Sequence, residues 1–257
     1  MLKKIFFTLA KYSGLNFLYG YFSGEKVFIV GYHSVFSEVD GNAVKTSEYG
    51  RVSLPVDLFE KQIRFMVKNG HSFVLFKDLP NLKKSKIKKP TIVYFDDGFK
   101  DNILNVLPIL KKYGIPAAFF VVPKYLDSGN PVYMDWNDVR KLRLEGMEIG
   151  SHTSSHRKLT EAPEKVLWEE LVRSKEKIEK EINFPAEVFS YPKGRLNGEV
   201  VAAVKNAGYK YAVTTKYGVN SYDYVSENPY LLKKVAPRVY ESFSDFKVRL
   251  YSYNIFR

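Results

Sequence analysis

Two periods of hydrophobic positions take turns along the chain. Compact runs of β-branched, aromatic and aliphatic residues at 26–32, 91–95, 117–122, 147–150, 186–189, 209–213 and 232–236 read as buried strands. Between them lie stretches whose apolar residues recur every three or four positions. In 56–70 these are Val56, Phe59, Ile63, Met66 and Val67, with Gly70 as the stop. In 101–113 they are Ile103, Val106, Leu107 and Leu110, and Gly114 ends the run. The segments 136–144, 163–182 and 198–207 follow the same helical spacing. The stretch 34–54 is polar and glycine-containing, and is expected to be one long loop.

Strands interleaved with helices point to parallel strands joined by helical crossovers. About seven of them suit an incomplete or distorted β/α barrel better than an open, doubly wound sheet. No internal repeat or flexible linker divides the chain, so 26–257 is expected to form one catalytic domain behind an N-terminal segment, 1–25. Polar residues gather just past several strand ends, after Tyr32, Phe95, Ile149 and Phe189. That rim is where barrel chemistry sits.

Composition narrows the chemistry. The 257 residues include no cysteine, which excludes disulfides, thiolate nucleophiles and cysteine-held zinc. A metal would need His, Asp, Glu or backbone oxygens, and the 4 histidines are His33, His71, His152 and His156. Formal charge is +12, with lysines clustered over 83–89. No basic recognition helix or nucleic-acid motif accompanies them, so a solvated loop or an anionic surface is expected and nucleic acid is not. At the N-terminus Lys3 and Lys4 precede an apolar run that Lys11 interrupts, so neither a cleavable signal peptide nor a membrane span is expected. The segment reads either as an interfacial stretch whose lysines meet anionic lipid headgroups or as a helix packed on the domain. Cytoplasmic and membrane-associated locations at the cell envelope therefore both stay open.

Three local features carry the candidate chemistry. Asp96 and Asp97 follow an apolar strand and precede Gly98, a costly placement unless the carboxylates bind something or reach solvent. Read alone, the pair also fits an exposed turn at a helix N-cap. Ser151-His152-Thr153-Ser154-Ser155-His156 sets two imidazoles four positions apart, which in a helical turn share one face. With one carboxylate they complete a His2Asp set suited to zinc, with cobalt or nickel as alternatives. Past a third strand, Tyr191-Pro192-Lys193-Gly194 forms a rigid turn in which the Lys193 backbone N–H is a candidate oxyanion donor. Tyr191 offers an amphipathic ring either to a sugar or to the core.

With these motifs in place, the chain resembles the NodB-type polysaccharide deacetylases, carbohydrate esterases that remove N-acetyl groups from amino sugars. Tyr94-Phe95-Asp96-Asp97-Gly98 is similar to the family's Thr-Phe-Asp-Asp-Gly motif, with tyrosine for threonine, and His152-Thr153-Ser154-Ser155-His156 to its His-(Ser/Thr)-x-x-His motif. The resemblance implies a distorted (β/α)7 barrel, with Asp97, His152 and His156 holding the metal and Asp96 as general base. Two usual parts are missing: an arginine in the third motif, and a late histidine as acid. The exopolysaccharide N-deacetylase branch carries its acid histidine ahead of the Asp-Asp pair, and Gly31-Tyr32-His33-Ser34-Val35 resembles that segment, which makes His33 the acid. Arg238, in a Pro-Arg element typical of this branch, would orient Asp96. His71 is expected to be structural and remote.

The implied activity is metal-dependent removal of N-acetyl groups from a glycan. A hydrolase of other small N-acyl or cyclic amides, or a catalytically weak glycan-binding protein, is the competing reading. The loops 34–54, 77–90 and 216–232 are expected to shape the choice of glycan.

Overall fold

The computed structural model describes residues 25–37, 53–237 and 241–251. Its strands are β1 (Lys26–Tyr32), β2 (Ser34–Phe36), β3 (Ser53–Pro55), β4 (Ser72–Phe73), β5 (Pro90–Phe95), β6 (Ala118–Val121), β7 (Glu148–Ser151), β8 (Val188–Ser190), β9 (Tyr211–Tyr217), β10 (Asn220–Ser221) and β11 (Leu232–Lys234). β1, β5, β6, β7, β8, β9 and β11 lie side by side in that order, each parallel to the next. The two ends of the row then meet. Val235 donates to the Ile29 carbonyl at 2.8 Å, and Gly31 donates to the Val235 carbonyl at 2.9 Å. The result is a distorted (β/α) barrel of seven parallel strands, with β10 antiparallel to the start of β1 and β4 beside the start of β5.

Helices cover the outside: α1 (Val56–Lys68), α2 (Leu107–Tyr113), α3 (Trp136–Leu144), α4 (Glu164–Trp168), α5 (Ser174–Ile182), α6 (Gly198–Asn206) and α7 (Phe243–Tyr251). The helix expected over 163–182 is continuous, but a π turn at Glu169–Arg173 joins α4 to α5. Another π turn, Asn102–Val106, leads into α2. Local chemistry sets several boundaries. The Asp135 carboxylate accepts from Asp138 N–H at the start of α3, Asn197 caps α6, and Gly114 stops α2 in the left-handed region at φ 63°.

Alternation along the strands builds two cores. Val27, Ile29, Ile92, Tyr94, Phe120, Val188, Val213 and Leu232 fill the barrel interior. Their neighbours Phe28, Val30, Val93, Phe95, Phe119 and Val121 face outward against Phe59, Ile63, Leu110 and Ile178 of the helices. His71 sits at the barrel floor, buried, with its ring nitrogens 2.7 Å from Thr91 Oγ1 and 2.9 Å from Tyr251 Oη.

Two loop expectations change. The stretch 34–54 is not wholly irregular: β2 and β3, at its ends, pair in parallel, Ser34 with Ser53 and Val35 with Leu54. Their side chains are buried enough to repay strand geometry. The segments 77–90 and 216–232 do not border the mouth as a pair. Residues 77–90 lead into the lower end of β5, Lys83 pairs with Asp223 at 3.3 Å, and Tyr222 Oη reaches the Ile87 carbonyl at 3.4 Å. Residues 77–90 and 220–232 therefore pack around the floor, because a loop that feeds the N-terminal end of a parallel strand lies opposite the catalytic rim, while Tyr217 and Gly218 stay level with Lys234. The N-terminal segment lies outside the described residues. Among the described residues no helix is long and apolar enough to cross a membrane.

Candidate active site

Strand alternation decides which side chains reach the barrel mouth. Above the inward Val27 and Ile29, Gly31 and then His33 face in; above Ile92 and Tyr94 comes Asp96. By the same count His152 follows Gly150, Ser190 follows Val188, and Lys234 follows Leu232. Register sets their height. Tyr32 is paired with Phe95, so His33 and Asp96 leave β1 and β5 at one level. Phe95 is paired with Phe119 and Phe119 with Ile149, which sets His152 two positions further along β7.

The distances agree. His33 Nε2 lies 3.7 Å from Asp96 Oδ2, and His152 Nδ1 lies 4.0 Å from Asp96 Oδ1. Asp97 Oδ1 is 3.5 Å from His152 Nε2 and 3.4 Å from His156 Nε2. Candidate ligand atoms of Asp97, His152 and His156 all fall within 4.8 Å of one another. His152 Nδ1–H donates a hydrogen bond to the Ser190 carbonyl at 2.7 Å, which leaves Nε2 aimed at the cluster. Asp97 Oδ1 is buried without a hydrogen-bond partner, as an oxygen meant for a cation would be. Burial, with His152 beside it, pulls His156 down to about 4, so its imidazole is neutral at ordinary pH, the form that ligates. The donor set fits a divalent transition metal.

The ligand loop gets its shape differently from the sequence expectation. His152 and His156 do not share a helical turn. Thr153 and His156 adopt left-handed backbone, φ 65° and 59°, and fold the chain back on itself. A β-branched residue there is costly and persists only when its surroundings enforce it. Glu170 provides that enforcement from the π turn before α5. Its carbonyl accepts from Ser154 N–H at 3.0 Å, and its carboxylate accepts from the N–H and Oγ of Ser155 at 2.8 and 2.5 Å. Asp97 is also left-handed, φ 73°, a state aspartate tolerates, and Gly98 follows at φ 75°.

Electrostatics distinguish the two aspartates' neighbourhoods. Burial pushes the Asp96 carboxyl upward, but His152, Lys234, His33 and the Ser190 side chain together hold it below the ordinary carboxylate range. Its Oδ1 has no hydrogen-bond partner. Burial holds the His33 imidazole below its usual range against the upward pull of Asp97 and Asp96. The His33 ring remains 24% exposed, open to the mouth, while its carbonyl accepts from Asn102 Nδ2 at 2.9 Å.

The remaining expected residues fare unevenly. Lys193 takes a left-handed conformation, φ 55°, in the turn after β8, and no protein acceptor for its N–H is seen among the described residues. Tyr191 is a correction: it is 2% exposed, and alternation sends its ring outward with Phe189 into the helical layer, packed with Tyr209 and Val200 rather than toward a sugar. The aromatic beside the cluster is Tyr125, whose ring centroid is 6.0 Å from that of His156 and stacks on Tyr133 at 4.3 Å. Arg238 lies outside the described residues. The cation found at Asp96 is Lys234, with Nζ 3.7 Å from Oδ2. Sequence reasoning missed it, along with Ser190 and Glu170.

Comparison with known proteins adds to the geometry. The polysaccharide deacetylase family profile matches residues 83–212. A Bacillus subtilis (strain 168) protein, YxkH, whose name assigns it provisionally to the polysaccharide deacetylases, is 30% identical over 202 residues, 77% of this chain and 67% of its own. The poly-beta-1,6-N-acetyl-D-glucosamine N-deacetylase of Staphylococcus aureus (strain MSSA476) is 27% identical over 196 residues, 70% of this chain and 68% of its own. In fold, the chain is similar to the Streptococcus pyogenes deacetylase PplD solved with acetate, at a TM-score of 0.77 and 24% identity over 88% of this chain and 98% of that one.

Proposed function

The chain belongs to the polysaccharide deacetylase family, and on that premise we propose that it hydrolyses N-acetyl groups from amino-sugar residues of a glycan, using a divalent metal held by Asp97, His152 and His156. The observation that carries the reading is one mouth holding that triad beside a second, unligated carboxylate, Asp96, and a histidine, His33. Zinc suits the donors best, and cobalt or nickel accept the same nitrogen and oxygen set. When bound, such an ion polarises an acyl carbonyl and acidifies water.

The protein's own groups account for the proton movements. Asp96 takes a proton from the attacking water through its free Oδ1 as the water oxygen bonds to the acetyl carbon. The N–H of Lys193 faces the oxyanion that develops on the carbonyl oxygen. His33, whose ring is open to the mouth, delivers a proton to the sugar nitrogen as the C–N bond breaks, and the proton held by Asp96 is returned to His33 through solvent before the next turnover. Acetate and a free amine leave, and the base is restored. Tyr125, next to His156, is the ring placed to meet a sugar face.

The test is acetate release from N-acetylglucosamine oligomers, beginning with the β-1,6-linked polymer for which the Staphylococcus aureus relative is named. Chelation should abolish release, zinc should restore it, and Asp96→Asn should lower it by about 10²–10⁴-fold, the scale of lost acid–base assistance. Undiminished release from a demonstrably metal-free protein, or release only from non-sugar amides, would overturn the proposal.

A further inference from the structure

Lys234 ends β11, two positions after the inward Leu232, so its side chain enters the barrel while Lys233 turns outward with its ammonium 4.1 Å from the Tyr224 ring centroid. Lys234 is 7% exposed. A lysine this buried is expensive unless an anion compensates it. The partner is Asp96, whose Oδ2 lies 3.7 Å from Nζ, and the ammonium also stands 5.3 Å from the Tyr94 ring centroid. No other lysine or arginine among the described residues makes an ion pair with Asp96. The strand carrying Lys234 is fixed against β1 by the two Val235 hydrogen bonds that close the barrel. β1 in turn pairs with β5 along its length, so closure sets the distance from ammonium to carboxylate.

The two oxygens of Asp96 are therefore unlike. Oδ2 has Lys234 and His33 for neighbours, whereas Oδ1 is buried and unpartnered on the side of His152. The geometry points to Lys234 as the positioning residue of Asp96: its ammonium tethers Oδ2, fixing the carboxylate so that Oδ1 alone faces the water. It fills, from the last strand of the barrel, the place the sequence left without an arginine. The inference rests on Asp96 as the base. It makes Lys234 a group that acts through Asp96 and touches neither metal nor substrate.

A double-mutant comparison tests this with the full chain loaded with zinc. Lys234→Met keeps the length and removes the charge. Its kcat should fall about 10–100-fold, the range for a partner that orients a first-line group, with KM and zinc content within about twofold of wild type. Lys234→Arg should recover most of that loss. In an Asp96→Asn background, Lys234→Met should cost no further activity, because the group it orients is already gone. A crystal structure of Lys234→Met should show the Asp96 carboxylate rotated. Turnover within threefold of wild type in Lys234→Met overturns the inference, and so does an undiminished loss in the Asp96→Asn background. If Lys234→Met does not fold, Lys234→Gln takes its place under the same criteria. Wild-type turnover in Asp96→Asn would instead refute the base assignment. A silent Asp96→Asn beside an active Lys234→Met would refute Lys234 alone.

Discussion

Gly31 is the position where one added methyl group should be felt most. It pairs with Tyr94 across β1 and β5, and a Cβ built on it would lie 2.4 Å from both Cζ and Oη of that ring. Comfortable carbon contacts begin near 3.5 Å, so the overlap is about 1 Å. The ring has little room to retreat. Phe120 meets it edge-on with centroids 5.2 Å apart, and the Lys234 ammonium stands over it at 5.3 Å. Gly31 is itself held by its bond to Val235 at 2.9 Å. Overpacking of this kind costs about 1–3 kcal/mol. In a protein of this size that lowers Tm by roughly 3–10 °C. Gly31→Ala followed by calorimetry measures it directly, and kcat should fall as well, because the displaced ring supports Lys234. The decisive control is Tyr94→Thr, which empties the space. Gly31→Ala should then cost less than about 0.5 kcal/mol, a coupling expected only of touching residues. A Gly31→Ala protein melting within 1 °C (roughly) of wild type, or an equal cost in both backgrounds, would refute the reasoning.

Other expectations follow from the same structure. His33→Ala should keep its fold and metal while turnover drops by about 10²–10⁴-fold, less with a poorly basic leaving group; near-wild-type turnover would remove His33 from the proton path. Glu170→Ala frees Ser154 and Ser155 and should weaken zinc binding by about 10–100-fold in chelator competition, with unchanged affinity as the contrary result. Burial raises Glu148 to about 7, against the pull of the Phe76 and Lys77 N–H groups, so the folded state favours its protonated form. The stability it contributes is complete below its ordinary value of 4.5 and is lost as pH rises from there through 7. At about 1.4 kcal/mol per pH unit, trimmed because the carboxylate is only half-buried, Glu148→Gln should gain about 1–2 kcal/mol over wild type at pH 8 or so and nothing near pH 4. Denaturation curves with the same pH slope for both proteins would contradict this.

The parts legible in the sequence were those whose signal is local. Compact apolar runs marked every strand of the barrel, a spacing of three or four marked the helices up to residue 207 but not Phe243–Tyr251, and Asp96, Asp97, His152 and His156 announced themselves by spacing within a few residues. Lys234 carried no such signal. In Leu232-Lys233-Lys234, within a chain holding 40 lysines and arginines, the second lysine looks like one more solvated cation. Only the closing bonds of Val235 show that its side of the strand faces a buried carboxylate. The turn through Thr153 and His156 was missed because an i, i+4 histidine pair suits a helix as well as it suits a reversal fixed by Glu170, some fifteen residues away. Tyr191 was within reach of simple counting, since Val188 inside and Phe189 outside already place it outside. The loop 77–90 and the part of 216–232 from Asn220 on were misjudged for want of one topological step, that in a parallel barrel alternate connections belong to opposite ends.

The same topology separates where the chain enters the barrel from where the chemistry lies. β1 begins at Lys26, on the floor beside β10, and delivers His33 at the mouth seven residues later. At about 3.3 Å per residue the strand spans roughly 23 Å. A bead, fusion partner or surface joined directly at residue 25 therefore holds the barrel by its base, leaving the opening pointed away from the support. Immobilised in that way, the protein should still admit a polymer many times its own length, whereas attachment through the Tyr125 side would cover the entrance.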